Sequence, residues 1–240
     1  MITELRHLWK QAFGDTDVFL DSFFSAGYAP DRCRYLTADG HVTAMLYWFD
    51  CTLGGKNYAY LYAIATDERR RNQGLCRRLM AETHDHLRAA GYAGALLVPG
   101  NSTLFRFYEK LGYATCCHVE EFTVSCGEPL VLRPVDIREY ADLRRQLLPA
   151  GGLVQEGPTL TFLQRFASFY AGDGFVLAAT AEQEKLCVHE LLGSACAPGI
   201  VAALHCQEGR IRTPGESKPF AMFYSLDGSA APSYLGLALD

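Results

Sequence analysis

The sequence predicts a mixed α/β (α+β) fold, and three observations carry that prediction. Runs of alternating or continuous apolar residues interleave with segments of helical spacing. Gly, Asn and Asp stand at the junctions between them. Past the middle of the chain the same order of elements restarts.

Residues 2–13 set Ile2, Leu5, Leu8, Trp9 and Phe13 near helical spacing, and Asp15 or Thr16 can cap a second helix through VFLDSFFSAGY. RCRYLTADGHVTAMLYWFDCTLGGKNYAYLYAIAT reads as a β-meander broken at ADGH and LGGKN, with Asp39-Gly40 as a hairpin signal. A helix follows from about Gly74 to Ala90, with Leu75, Leu79, Met80, Thr83 and Leu87 on one side and Gly91 in the C′ position. AGALLVP is a short buried strand. NSTLFRFYEKLGY is a helix with Asn101 or Ser102 at its start and Gly112 at its end.

After a soft boundary near Cys126–Glu128, EPLVLRPVDIREYADLRRQLL gives a strand, a break and a helix. TLTFLQRFASFYAGDG reads as another helix, GFVLAATAEQEKLCVHELLG as a hairpin, APGIVAALHC as a short helix and KPFAMFYSL as a late strand. The domains are therefore placed at 1–126 and 127–240, although the halves share too few letters to establish a repeat.

Hydrophobic residues make up 49% and charged residues 20%, an ordinary globular balance. A net charge of −5 argues against a protein that coats nucleic acid. No apolar run reaches the ~20 residues that cross a bilayer, and the amphipathic start has no signal-peptide core. Nine cysteines without a C-x-x-C fit neither a zinc knuckle nor a dense disulfide scaffold. The expectation is a cytoplasmic protein with reduced thiols, no metal, and no membrane or nucleic-acid partner. Cys116 and Cys117 are expected on opposite faces of one strand.

One stretch stands apart. In ATDERRRNQGLCRRLM, three arginines, a polar pair and one glycine separate a strand from a helix. A helix N-terminus offers unpaired N–H groups and the positive end of the peptide dipoles to an anion. Gly74 lets a ligand approach the backbone, while Arg69, Arg70 and Arg71 can pair phosphate. Cations here oppose the dipole at roughly 0.3–1 kcal/mol each, a conflict that an anionic ligand would resolve. The stretch is neither a Walker loop nor G-x-G-x-x-G.

RNQGLC resembles the R/Q-x-x-G-x-G/A pyrophosphate loop of the GNAT-superfamily N-acetyltransferases. About thirty residues on, VPGNSTLFRFYEKLGY resembles their second signature: a strand, an asparagine, then a helix ending in F-Y-x-k-x-G-[FY]. The likeness covers roughly residues 1–120 and is sharp over 58–114; Cys76 stands where the family carries a small Gly or Ala. It implies a mixed, mostly antiparallel sheet flanked by helices, with YAYLYAIA and GALLVP as a splayed parallel pair. A second, smaller and degenerate GNAT-like half would follow.

The resemblance further implies acetyl-CoA as cosubstrate. The N–H groups around Gln73, Gly74, Leu75 and Cys76 would hold its pyrophosphate, with Arg71 in support and Arg70 or Arg69 nearer the outer phosphates. Asn101 would bond the pantetheine arm, and the backbone of Ile64 and Thr66 the amide end. Tyr108 matches the family's general acid, the group that protonates the departing thiolate. The acceptor would be a primary amine of a small molecule or peptide. No Glu or Asp lies within YAYLYAIA to act as base. Asp67, Glu68, Glu120, Glu121 and His118 are candidates beside ordered water, and some two-domain relatives suggest the terminal carboxylate of Asp240.

Alternation places Tyr58, Tyr60 and Tyr62 on one strand face, where they cover a core or wall a cationic acceptor. Asp21, Asp50 and Glu190 are candidates to add negative charge there. The second half would close the acceptor side of the cleft or form a homodimer surface. A non-catalytic acyl-CoA-binding sensor or scaffold is the alternative reading, and a structural α/β domain the third.

Overall fold

The structure is a computed structural model that describes residues 1–239. Its contacts divide into two compact units, residues 1–114 with 222–231, and residues 115–221 with 232–239. The sequence boundary near 126–127 falls at the far end of a strand whose start marks the division between the units.

The first unit opens with α1 (Ile2–Phe13) and α2 (Asp17–Ala26). α1 buries Leu5, Leu8 and Trp9, one stripe at i, i+3 and i+4. It ends at Gly14, whose left-handed φ of 75° lets its N–H return to the Lys10 carbonyl. Thr16 is the residue that caps α2, accepting from the Phe19 N–H at 3.2 Å. β1 (Cys33–Ala38), β2 (His41–Leu53) and β3 (Lys56–Thr66) form the meander. Its turns fall at Asp39-Gly40 and Gly54-Gly55, all four at positive φ, as a tight two-residue hairpin turn requires. α3 (Leu75–Ala89), β4 (Gly94–Leu97) and α4 (Ser102–Glu109) follow.

The later strand β12 (Lys218–Ser225) pairs antiparallel with β4 through Met222↔Leu97 to Ser225↔Gly94. β1, β2, β3, β4 and β12 thus lie side by side, with β3 and β4 the parallel pair. Helices α3 and α4 pack on one face over Leu46, Trp48, Leu61 and Leu97. On the other face Trp9, Phe23, Tyr47, Phe49 and Tyr62 form an aromatic cluster with centroids 4.6–6.3 Å apart.

The second unit contains β5 (Ala114–Ser125, from Thr115 on), β6 (Arg133–Pro134), α5 (Ile137–Leu147), β7 (Val154–Gln155), α6 (Pro158–Leu163), β8 (Ser168–Gly172), β9 (Phe175–Glu182), β10 (Lys185–Gly193), α7 (Ala197–Ala203) and β11 (Glu208–Pro214). Its strands neighbour one another in the order β5-β11-β10-β9-β8-β6, antiparallel except for the β10–β11 pair. The mixed, mostly antiparallel architecture expected from the sequence is present.

Three local expectations are corrected. The helix expected across 159–174 stops at Leu163, and Ser168–Gly172 becomes β8 because Phe169 and Ala171 alternate inward and pair with β9. The strand expected in EPLVLR, ahead of the Pro-Val-Asp break, is reduced to Arg133–Pro134. The thiols of Cys116 and Cys117 lie 3.3 Å apart, as the two point toward the carbonyls of Ala221 and Pro232. All nine cysteines are free.

Candidate active site

The arginine-rich turn of the first unit is built as a backbone cradle. Asp67 accepts from the Arg69 N–H at 2.9 Å and starts a single 3-10 turn over Glu68–Arg70. Asn72 (φ 62°) and Gly74 (φ 79°) are then both left-handed and flank Gln73. Asn tolerates this region and Gly occupies it freely. Left-handed residues in such a turn leave neighbouring backbone N–H groups available to an anion, as in a nest.

Gly74 is also the N-cap of α3, and no side chain caps that helix, in contrast to Thr16 on α2, Asn101 on α4 and Asp136 on α5. The first turn of α3 holds no acidic residue. The orphan amides of Leu75 and Cys76 therefore lack a side-chain acceptor. A Cβ placed on Gly74 would meet nothing within 4 Å, so the cradle is open.

The arginines are less free than the letters suggest. Arg70 holds Asp39 at 2.6 Å in an exposed pair, and Arg71 leans on the Thr66 carbonyl at 3.5 Å. Arg69, Arg70 and Gln73 line a cavity of about 500 Å³ together with His7, His41 and Asp67.

Beside the cradle the parallel pair comes apart. β3 and β4 are in register at Tyr58↔Gly94, Ala59↔Ala95 and Tyr60↔Leu96. β3 then bulges: the β2–β3 register steps from Tyr47↔Tyr62 to Met45↔Ala65, so Ala63 and Ile64 together oppose Leu46. Ala63 takes φ 48°, a strained value for alanine, and re-aims the backbone of Ile64 through Thr66. Nothing in the residue types YAIA announces this bulge.

Asn101 caps α4, its side-chain oxygen accepting from the Leu104 N–H at 3.0 Å. About two turns further, Tyr108 is buried among Phe107, Tyr113 and the core over β4. Burial, then the nearby Cys76 sulfur, pushes its phenol well above the ordinary value of 10, so the hydroxyl keeps its proton at neutral pH. Burial also raises the Cys76 thiol to about 11, so this sulfur is not a thiolate.

Sequence reasoning missed His84, a buried histidine on α3. Its Nε2 shares a 2.7 Å hydrogen bond with the Tyr113 hydroxyl, and its ring stacks on Tyr224 at 4.1 Å. Burial first, then Arg88, lowers it to about 4 against a weak opposite pull from Asp85. The signal was available: His84 is i+4 from Met80 and i−3 from Leu87, on the apolar stripe of α3.

The carboxylates proposed to charge an acceptor pocket are already engaged. Asp21 pairs with Arg6 at 2.8 Å, while Asp50 is held by Arg32 at 2.7 Å and by the Tyr92 hydroxyl at 2.6 Å. Glu190 is buried in the second unit against Arg144. Tyr58 and Tyr60 are core residues; Tyr62 is half-buried.

Of the candidate bases, Asp67 already bonds the Arg69 N–H, and Glu68 is exposed. The Ser217 hydroxyl holds Glu120 below the usual carboxylate range. Burial alone would raise Glu121, but Lys218 and Arg212 outweigh it. His118 lines a separate cavity in the second unit with Glu216 and Tyr234. Asp240 lies outside the described residues. Among the described residues no His, Cys, Asp or Glu group gathers to hold a metal, and no helix is long and apolar enough to cross a membrane.

Residues 1–116 match the family model described as an acetyltransferase (GNAT) domain. The structure is similar to that of a GCN5-related N-acetyltransferase from Kribbella flavida, with 16% identity, a TM-score of 0.69, and 95% of this chain and 70% of that one covered. A GCN5-related N-acetyltransferase from Anabaena variabilis gives 14%, 0.70, 94% and 70% for the same quantities. A tandem GNAT protein from the clavulanic acid biosynthesis pathway gives 11%, 0.61, 95% and 96%. At such identities the likeness shows the fold. No curated protein matches the chain.

Proposed function

We propose that the chain, whose residues 1–116 match the GNAT acetyltransferase domain, is an N-acetyltransferase that moves an acetyl group from acetyl-CoA to a primary amine of a small molecule or peptide by direct attack. The observation that carries this reading is the uncapped, doubly left-handed entry to α3 beside a parted parallel pair. An open nest of amides suits a diphosphate, and strands that separate leave backbone groups for an extended amide chain. Bound acetyl-CoA would supply the acetyl thioester.

The chain's own residues take these roles. The N–H groups of Gln73, Gly74, Leu75 and Cys76 hold the diphosphate, with Arg71 in support. Arg70 is available to an outer phosphate because its exposed pair with Asp39 is worth at most about 1 kcal/mol. The backbone of Ile64 and Thr66 meets the pantetheine amides, and the Asn101 side-chain NH₂ group, opposite its capping oxygen, meets the arm. Tyr108, kept protonated by burial, gives its proton to the departing thiolate. Cys76 is the thiol beside it; as a neutral group at about 11 it is a poor acyl relay, which favours direct attack by the amine. Residues 127–240 are read as the degenerate second half.

The test is CoA release measured against a broad panel of amines. Release with at least one amine is expected. Saturable acetyl-CoA binding with no release across the panel would favour the sensor reading.

A further inference from the structure

The second unit repeats the strand pattern of the first unit's opening. β10 and β11 run parallel from Lys185↔Glu208 to Val188↔Ile211. Immediately beyond, β10 bulges: its register with β9 steps from Val188↔Ala179 to Glu190↔Ala178, with His189 as the additional residue. β10 then continues on β9 and β11 on β5. Parallel pairing, a bulge on the first strand and separation of the two follow in the order seen for β3 and β4.

Two things differ. First, there is no cradle. α7 has seven residues, and Pro198 in its first turn lacks an N–H. Gly193, the left-handed residue that ends β10, sits so close to Gly174 and Phe175 that a Cβ there would collide with their backbone.

Second, residues 232–239 lie against β10 just past its bulge and against β5. The Tyr234 hydroxyl donates to Glu190 Oε1 at 3.1 Å, on β10 just past its bulge. A Cβ on Gly236 would collide with that carboxylate and with the Tyr234 hydroxyl, so only glycine passes there. The Cys117 thiol of β5 points to the Pro232 carbonyl. On the opposite side, the Leu153 N–H donates to the Tyr234 carbonyl at 2.9 Å. The buried Gln155 side chain satisfies Leu237 twice, donating to its carbonyl at 2.7 Å and accepting from its N–H at 3.1 Å.

Arg144 ties both sides together, donating to Glu190 at 2.6 and 3.0 Å and to Gln155 at 3.3 Å, while Tyr140 donates to Glu190 at 3.1 Å. Leu235, Leu237, Ala238 and Leu239 are at most 1% exposed. A segment whose backbone is satisfied by dedicated buried side chains is part of the unit's core.

We propose that residues 232–239 are a built-in occupant of the second unit's opening, and that the chain consequently takes one acyl-CoA and not two. The count of one rests on the reading of the first unit given above; the occupancy of the second does not. Acetyl-CoA is titrated into the full chain and counted by native mass spectrometry, on the wild type and on Gly74→Glu. Backbone hydrogen exchange of 234–239 is followed in parallel.

One equivalent on the wild type, none on Gly74→Glu, and slow exchange at Leu237 are expected. Two equivalents on the wild type, or one retained by Gly74→Glu, would overturn the inference. So would exchange at 234–239 as fast as in an exposed loop. No binding to the wild type with slow exchange at 234–239 would instead remove the reading of the first unit and leave the occupied opening standing.

Discussion

His84 makes a quantitative prediction about the helix that carries the cradle. Its ordinary value near 6.5 falls to about 4 in the folded chain, chiefly through burial and secondarily through Arg88. The unfolded chain therefore binds the proton more tightly than the folded one between those values. The sign follows: stability is full above pH 6.5 and declines as pH falls toward 4. With these two values the loss between pH 7.5 and 4.5 is about 2 kcal/mol after a modest allowance for solvent screening.

The comparison is His84→Gln, which keeps a polar partner for the Tyr113 hydroxyl but does not titrate. Urea unfolding at both pH values gives the difference, because other titrating groups are common to the two proteins. The wild type should lose about 2 kcal/mol more than the variant over this range. Equal losses would show that the buried ring is not held neutral, and would refute the packing drawn for His84, Tyr113 and Tyr224.

Other predictions follow from the same geometry. Tyr108→Phe should lower kcat by about 10²–10⁴-fold while acetyl-CoA affinity changes little; steady-state kinetics with a matched binding measurement decide it. At Ala63, valine should cost about 1–2 kcal/mol or more because the bulge is left-handed, whereas glycine should be neutral or slightly stabilising; a valine variant as stable as wild type would contradict the bulge. Glu190→Ala should cost about 3–5 kcal/mol by stranding Arg144, and the double change Arg144→Met with Glu190→Leu much less; denaturant midpoints for the three proteins test it.

Much of the first unit was legible because its punctuation is local. Thr16, Asn101 and Gly91 act within one turn of themselves, and Asp39-Gly40 fixes its hairpin with two residues. At the entry to α3 the sequence marked Gly74 as a place where a ligand could approach the backbone, but the left-handed turn at Asn72 was not singled out. The bulge was not, because Ala63 is an alanine that tertiary pairing forces into that region. Residues 168–172 were misread as helix because their strand character comes from β9, not from their own letters.

Long-range commitments were invisible too. Asp50 finds Tyr92 across 42 positions, and Gln155 finds Leu237 across 82. No spacing rule reaches that far. For this reason YLGLAL could be read only as an apolar stretch, with no indication that it fills an opening.

The central claim is that amides at the entry to α3 hold a diphosphate. Amide proton–nitrogen spectra recorded during titration with acetyl-CoA address it most directly. The account predicts the largest shifts at Gln73, Gly74, Leu75 and Cys76, with the amides of α7 unmoved. Saturable binding that leaves those four amides in place while others move would contradict it.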